Sequence, residues 1–82
     1  MTETIYIPLE DEGVPVRRPA PAYRRDDGYY IVLRPVGYDP TVEMWAFPPG
    51  STVEVQRTQT GEGEILAAVR AVAEGEAGRR AV

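Results

Sequence analysis

Apolar and polar residues alternate along most of this chain, which is the pattern of half-buried β-strands. In residues 3–9 the apolar side chains Ile5, Ile7 and Leu9 share one parity, so this segment is predicted to be a first strand with those three residues inward. Residues 10–13 are acidic and end in glycine, which predicts a solvated turn. Adjacent carboxylates of this kind do not supply the spaced oxygen ligands that calcium needs.

Residues 14–25 have an extended pattern but contain three prolines, Pro15, Pro19 and Pro21. Proline has no N–H to donate to a ladder and also breaks a helix. The segment is therefore predicted to be a strand that lies at a sheet edge or is interrupted by a bulge.

The clearest turn signal is Asp26-Asp27-Gly28, because Asp-Gly supplies the positive φ values of a tight hairpin. The strands on its two sides are predicted to pair antiparallel. Residues 28–34 are rich in β-forming residues, with Tyr30 and Val32 on one face and further apolar residues on the other. Since both faces are apolar, this central strand is predicted to be covered on both sides or to wrap into a barrel.

The second half of the chain continues with short segments between turn signals. Residues 35–41 have the composition of a surface loop, and residues 42–47 are predicted to form a short strand. The sequence at 48–50 is Pro-Pro-Gly, which is typical of a type II turn. A half-buried strand is predicted at 51–59, and the Gly-Glu-Gly sequence at 61–63 predicts the next turn.

Residues 64–73 fit two patterns equally well. A helical stripe is formed by Ile65, Leu66, Val69 and Val72, and a strand face by Ile65, Ala67, Val69 and Ala71. The alanine content favours a helix, whereas the short spacing after a glycine turn favours a returning strand. Residues 1–73 are predicted to form one domain, and residues 74–82 a flexible C-terminal tail.

One set of residues resembles the pattern of a group of short bacterial proteins. The set comprises Glu12-Gly13, Val16, Arg18-Pro19, Ala22, Asp27-Gly28-Tyr29, Tyr38-Asp39, Glu43-Met44-Trp45, Phe47 and Pro49-Gly50. Arg17 stands where members of that group often carry an aromatic residue. The resemblance extends over residues 4–70 and implies a strand at 64–71, but it implies no activity.

Short strands separated by turns at 10–13, 26–28, 48–51 and 60–63 are what a small barrel requires. The predicted fold is all-β, an SH3-like barrel of five or six short antiparallel strands. The alternative is an α+β sheet that carries one C-terminal helix.

The charge balance limits the partners that the chain can take. The sequence has 13 acidic and 9 basic residues, all of the latter arginine, for a net charge of −4. This balance disfavours a general attraction to nucleic acid or to an anionic membrane. The N-terminus has no basic start followed by an apolar run, and no segment approaches the ~20 apolar residues of a membrane span. A soluble, cytoplasmic protein is predicted.

The chain contains no histidine and no cysteine. Thiolate nucleophiles, the usual zinc ligand sets and the most common general base are therefore excluded. Ser51 is the only serine and has no histidine or lysine to activate it. The sequence predicts no enzymatic activity, no cofactor and no metal site.

Aromatic and arginine side chains, which often anchor protein interfaces, remain as candidates for a binding surface. The predicted surface residues are Arg17, Arg18, Arg24, Arg25, Tyr23, Tyr38 and Trp45, with core closure weighed above contact with a partner for Trp45. The predicted function is a non-catalytic protein-interaction domain with an unidentified protein partner. The alternatives are a small barrel that binds single-stranded RNA through stacked aromatic residues and an acidic immunity or antitoxin-like protein that caps a basic partner.

Overall fold

The computed structural model describes residues 2–10, 16–61 and 63–73, and within these ranges the chain forms five β-strands and no α-helix. The strands are β1 (Thr2–Pro8), β2 (Arg17–Arg24), β3 (Tyr30–Val32), β4 (Thr52–Thr60) and β5 (Gly63–Ala71). Each strand runs antiparallel to its neighbour in chain order, and β5 returns to β1 to close a barrel.

The closing pair is parallel and joins Tyr6 of β1 to Ala67 of β5. This direction follows from the strand number, because five strands of alternating direction leave the first and the last pointing the same way. The predicted all-β fold is confirmed, and the closed five-stranded barrel is consistent with a small SH3-like barrel. The alternative with a C-terminal helix is wrong, since residues 63–71 form β5.

The interior of the barrel is filled mainly by aliphatic and aromatic side chains. Its buried members are Ile5, Ile7, Ala20, Ala22, Tyr30, Val32, Trp45, Val53 and Ala68. Ile5 and Ile7 are completely buried, as their parity predicted, and each contributes about 1.5–3 kcal/mol through burial. Leu9 is half-buried against the same cluster.

The prolines of β2 are placed where the ladder with β1 loses no donor. The carbonyl of Pro21 accepts a hydrogen bond from the amide of Leu33 at 2.9 Å. In an antiparallel strand the N–H and C=O of one residue point to the same side, so the missing N–H of Pro21 faces away from β1. The predicted edge or bulged strand is wrong, because β2 pairs with β1 in a continuous register and with β3 over Ala22–Arg24.

The turn between β2 and β3 is the predicted hairpin turn. The amide of Arg25 donates to the carbonyl of Tyr29 at 2.8 Å, and the amide of Gly28 donates to the carbonyl of Arg25 at 3.1 Å. These bonds enclose a three-residue loop, Asp26–Gly28, in which Gly28 has a φ of 90°.

The central strand is shorter than the predicted 28–34 and spans only Tyr30–Val32. Its parity is as predicted, since Tyr30 and Val32 are in the core, and Tyr29, on the opposite parity, is buried with Val72. Pro35 cannot donate to a ladder, and its carbonyl instead begins a turn by accepting the amide of Tyr38 at 3.2 Å.

The segment between β3 and β4 contains the predicted type II turn but not the strand predicted at 42–47. In the turn, the amide of Ser51 donates to the carbonyl of Pro48 at 3.1 Å, and Gly50 has a φ of 96°. The segment at 42–47 forms only an isolated bridge between Trp45 and Leu9. At the start of the segment the backbone donors of residues 41–43 are taken up by Asp39. The backbone hydrogen bonds to the β1 end are those on either side of the bridge, from Ala46 to Pro8 and from Glu10 to Met44.

The carboxylate of Asp39 accepts hydrogen bonds from both the amide and the hydroxyl of Thr41, at 2.8 and 2.7 Å. Its carbonyl accepts the amides of Val42 and Glu43. The same hydrogen bonds from Thr41 hold the pKa of the Asp39 carboxyl below its ordinary value. These contacts compete with strand pairing and form a compact turn instead.

The last hairpin joins β4 to β5 through the pair Thr60 and Gly63. The register shifts between Glu54 and Val55, so that Val69 of β5 is the extra residue of a β-bulge and is exposed. No helix in the described ranges is long and apolar enough to cross a membrane. Residues 11–13 of the predicted acidic turn and the predicted tail at 74–82 lie outside the described residues.

Candidate interaction face and barrel mouth

The arginines of β2 are divided between different parts of the molecule. Arg18 and Arg24 share the parity of Ala20 and Ala22, which are buried in the interior. They therefore lie at opposite ends of the interior face, about 20 Å apart along the strand at ~3.3 Å per residue. The strand does not carry one continuous row of arginines, because the two buried alanines separate them.

The other parity of β2 points away from the interior and joins its neighbours in an apolar outer surface. We define the outer face by Tyr6, Pro19, Pro21, Tyr23, Ile31 and Leu33, which lie on the solvent side of β1, β2 and the chain at β3. In the register, Tyr6 is opposite Pro19 and Tyr23 is opposite Ile31. The solvent side of a sheet is expected to be polar, yet here Tyr23 is 48% exposed and Leu33 is 36% exposed.

An open pocket of about 400 Å³ adjoins Tyr23 and Ile31 and reaches the β2–β3 turn. Arg25 forms part of its wall, and its Nη2 lies 3.2 Å from Oδ2 of Asp27. The other oxygen of Asp27 accepts the amide of Tyr29 at 3.1 Å. The structure therefore brings the predicted residues Tyr23 and Arg25 together, with Arg25 held in place by an acidic residue of the turn.

Arg17 is the third predicted residue on this side of the molecule. It lies opposite Pro8 in the β1–β2 register, has the outer parity, and is exposed. Arg17 and Tyr23 therefore mark the two ends of the β2 part of the outer face.

Arg24 belongs instead to a second pocket at one open end of the barrel. We call this the barrel mouth, a pocket of about 260 Å³ whose lining includes Glu3, Arg24, Tyr30, Val55, Arg57 and Leu66. The hydroxyl of Tyr30 donates a hydrogen bond to Oε2 of Glu3 at 3.3 Å.

The electrostatics of the barrel mouth act on the phenol of Tyr30. Burial raises its pKa above the ordinary value, and the neighbouring carboxylate of Glu3 raises it further. The positive charges of Arg24 and Arg57 act in the opposite direction. Both guanidinium groups are therefore close enough to influence the hydroxyl.

Sequence reasoning missed Glu3, Tyr30 and Arg57 as members of one site. A signal was present, because Glu3 has the parity of Ile5 and Arg57 has the parity of Val53 and Val55. Charged residues at the ends of inward-facing rows are the ones that surround the opening of a small barrel.

The opposite end of the barrel is closed by a cluster that contains the remaining predicted residues. Arg18 is paired with the carboxylate of Glu43, and the indole Nε1 of Trp45 donates to the same carboxylate at 3.2 Å. The ring of Tyr38 meets Trp45 edge to face, with centroids 4.7 Å apart. The guanidinium of Arg34 lies 5.6 Å from the centroid of the Tyr38 ring.

In this cluster, the hydrogen bond from Arg18 and that from Trp45 hold the pKa of Glu43 below its ordinary value. Trp45 is only 7% exposed and belongs to the core. Arg18, Tyr38 and Trp45 are thus brought together, but in the closure of the barrel and away from the outer face.

Comparison with protein-family models, with curated proteins and with solved structures finds no match for this chain. Within the residues that the structure describes, no three acidic side chains are gathered in a way that could hold a metal ion.

Proposed function

We propose that this chain is a non-catalytic protein-interaction domain whose protein partner docks on the outer face. The observation that carries the proposal is the apolar solvent side of β2 and of the chain at β3, with Tyr6 of β1 beside it. Aromatic residues and arginine are enriched at protein interfaces and supply most of their strong anchors. Tyr23 and Arg25, which share a pocket wall, are of these types.

Tyr23 has the position of an anchor residue. It lies on the middle strand of the three, between Thr2 of β1 and Ile31 of β3. Tyr23 is 48% exposed. If a partner covers this exposed surface, the complex is stabilised by about 2 kcal/mol. A tyrosine also loses little conformational entropy when it is covered, because it has few rotatable bonds.

The charges around the outer face indicate which partner surface it fits. Arg17 is exposed at one end of the face and forms no ion pair with any residue in the described ranges. A partner with an apolar centre and a carboxylate opposite Arg17 is complementary to this arrangement. The lack of histidine and cysteine in the chain supports a non-catalytic role.

Site-specific photocrosslinking in the cells of origin tests the proposal. A photoreactive phenylalanine replaces Tyr23 in one variant and Gln59 in the other, since Gln59 is an exposed residue of β4 outside the outer face. We expect a discrete protein adduct from position 23 and none from position 59. The proposal is wrong if position 23 gives no adduct, if both positions give the same adducts, or if nuclease treatment removes the adduct.

The partner identified in this way allows a quantitative second test. We expect Tyr23→Ala to weaken binding about tenfold or more, as the loss of a buried aromatic anchor does. Arg17→Gln is expected to weaken binding less and to flatten its salt dependence. Gln59→Ala is the matched control and should leave the affinity unchanged. An affinity that is indifferent to both Tyr23→Ala and Arg17→Gln would contradict docking on the outer face.

A further inference from the structure

The barrel mouth is lined by two arginines and a tyrosine whose hydroxyl is bonded to Glu3. Arg24 is the cross-strand partner of Tyr30, and Arg57 enters from β4 on the parity of Val55. The three residues line one pocket, in which Tyr30 is 6% exposed. The effect of both arginines on the pKa of Tyr30 agrees with this proximity.

The charges of the barrel mouth are not balanced. Among the described residues the arginines in ion pairs are Arg18, Arg25 and Arg70, and neither Arg24 nor Arg57 forms one. The acidic residue of the lining is Glu3, whose carboxylate accepts the hydrogen bond from Tyr30. Two guanidinium groups and one carboxylate leave the lining with one excess positive charge.

We infer that the barrel mouth is a binding site for a carboxylate group, supplied by an acidic side chain or by a C-terminus of a peptide chain. A monoanion neutralises the excess charge. A phosphate dianion would make the site negative and would be repelled by Glu3.

The shape of the site agrees with this class of ligand. The planar fork of a guanidinium group matches a carboxylate and binds it through two parallel hydrogen bonds. The pocket of about 260 Å³ has room for one side chain or chain end. Val55 and Leu66 in its lining offer apolar surface to the methylene groups next to the carboxylate.

Titration of the full chain with capped tripeptides, followed by NMR, tests the inference. The first probe is Gly-Glu-Gly with both ends blocked, and the second is Gly-Gly-Gly with a free C-terminal carboxylate. The neutral match is blocked Gly-Gln-Gly, and inorganic phosphate is titrated separately. The signals observed are the Nε–Hε groups of Arg24 and Arg57 and the backbone amide of Tyr30.

We expect saturable shifts of these signals with at least one of the two carboxylate peptides and none with the neutral match. The first two probes distinguish a side-chain carboxylate from a terminal one. Shifts with phosphate and not with either peptide would overturn the assignment to a carboxylate. The absence of shifts with every probe at millimolar concentration would overturn the site itself.

Variants of the barrel mouth identify the groups that bind. Arg24→Gln and Arg57→Gln should each weaken binding of the carboxylate peptide about tenfold, since each removes a charge-assisted hydrogen bond. Arg17→Gln makes the same change in net charge at a distant position of β2 and should leave the affinity within a factor of about two, a difference of only ~0.4 kcal/mol. Equal weakening by all three variants would show a general charge effect and overturn the inference.

Glu3→Gln gives the sharpest result, because it removes the negative charge that competes with the ligand. We expect it to tighten binding of the carboxylate peptide several-fold, whereas a structural role for Glu3 predicts weaker binding or no change. Arg57 is exposed on β4, so Arg57→Gln keeps the test valid if Arg24→Gln fails to fold. The inference does not depend on the outer face, and crosslinking at position 23 leaves it unaffected.

Discussion

The indole Nε1 of Trp45 donates a hydrogen bond to Oε1 of Glu43 at 3.2 Å, and the other oxygen of that carboxylate is paired with Arg18 of β2. One carboxylate thus joins the segment between β3 and β4 to the first residues of β2. The same segment contributes Trp45 to the core. The end of the barrel is closed by a loop that is held by these side-chain contacts and by backbone hydrogen bonds around the bridge to Leu9, where the sequence predicted a full strand.

Replacement of Trp45 tests this closure. We expect Trp45→Ala to lower the free energy of unfolding by about 3–5 kcal/mol, because it leaves a large cavity in the core. Met44→Ala is the neighbouring control, since Met44 is 55% exposed, and should change the stability by no more than about 0.5 kcal/mol. Urea denaturation measures both. Similar, small effects of the two substitutions would show that Trp45 is not a core residue.

The pKa of Glu43 predicts how the stability responds to acid. Because the folded state holds this pKa below its ordinary value of 4.5, the carboxylate stabilises the fold above pH 4.5 and loses this contribution as the pH falls through the lower, folded-state pKa. We expect the free energy of unfolding to fall less steeply in Glu43→Gln than in the unmodified chain as the pH is lowered from 5 toward acid unfolding. Urea midpoints over this pH range measure the effect.

The control for this experiment is Glu64→Gln, which makes the same chemical change at an exposed position of β5. It should retain the full acid dependence of the unmodified chain. If Glu43→Gln and Glu64→Gln give the same pH profile, the contacts of Glu43 with Arg18 and Trp45 contribute nothing to the acid response.

Two glycines allow a matched test of backbone conformation. A Cβ at Gly28 or at Gly61 would contact no atom within 4 Å, but only Gly28 of the two has a positive φ, of 90°. Gly28→Ala is therefore expected to destabilise the fold by about 1–2 kcal/mol. Gly61→Ala should be neutral or slightly stabilising, because it restricts the unfolded chain without strain. Equal thermal midpoints for the two variants would contradict the three-residue loop.

The small residues of the interior predict the effect of added volume. Ala22 is completely buried on β2 and belongs to the core cluster. Ala22→Leu is expected to destabilise the fold by about 1–3 kcal/mol, because a well-packed core accommodates extra methylene groups poorly. Ala71→Leu adds the same volume at an exposed position of β5 and should change the stability by no more than about 0.5 kcal/mol. Thermal unfolding compares the two, and an unchanged midpoint for Ala22→Leu would show that the interior has unfilled space.

The local sequence pattern of the strand at 63–71 does not distinguish it from a helix. Alanine and the apolar spacing fit a helix as well as a strand, because both periods place Ile65 and Val69 on one face. Pairing with β4 and the parallel contact with β1 make this segment a strand. Both involve residues outside 63–71, in the facing strand of the hairpin and in β1 at the other end of the chain, so the local propensity of residues 63–71 does not contain them.

The sequence by itself determined those features that depend on neighbouring residues alone. The inward parity of Ile5 and Ile7 follows from a period of two, and the turns at Gly28 and Gly50 follow from residues that tolerate a positive φ. Only the tertiary structure decided that Glu3 and Tyr30, 27 positions apart, share a hydrogen bond at the barrel mouth with Arg57. Parity says whether a side chain points inward, but the end of the barrel at which it lies depends on the register between strands, which is set when the barrel closes.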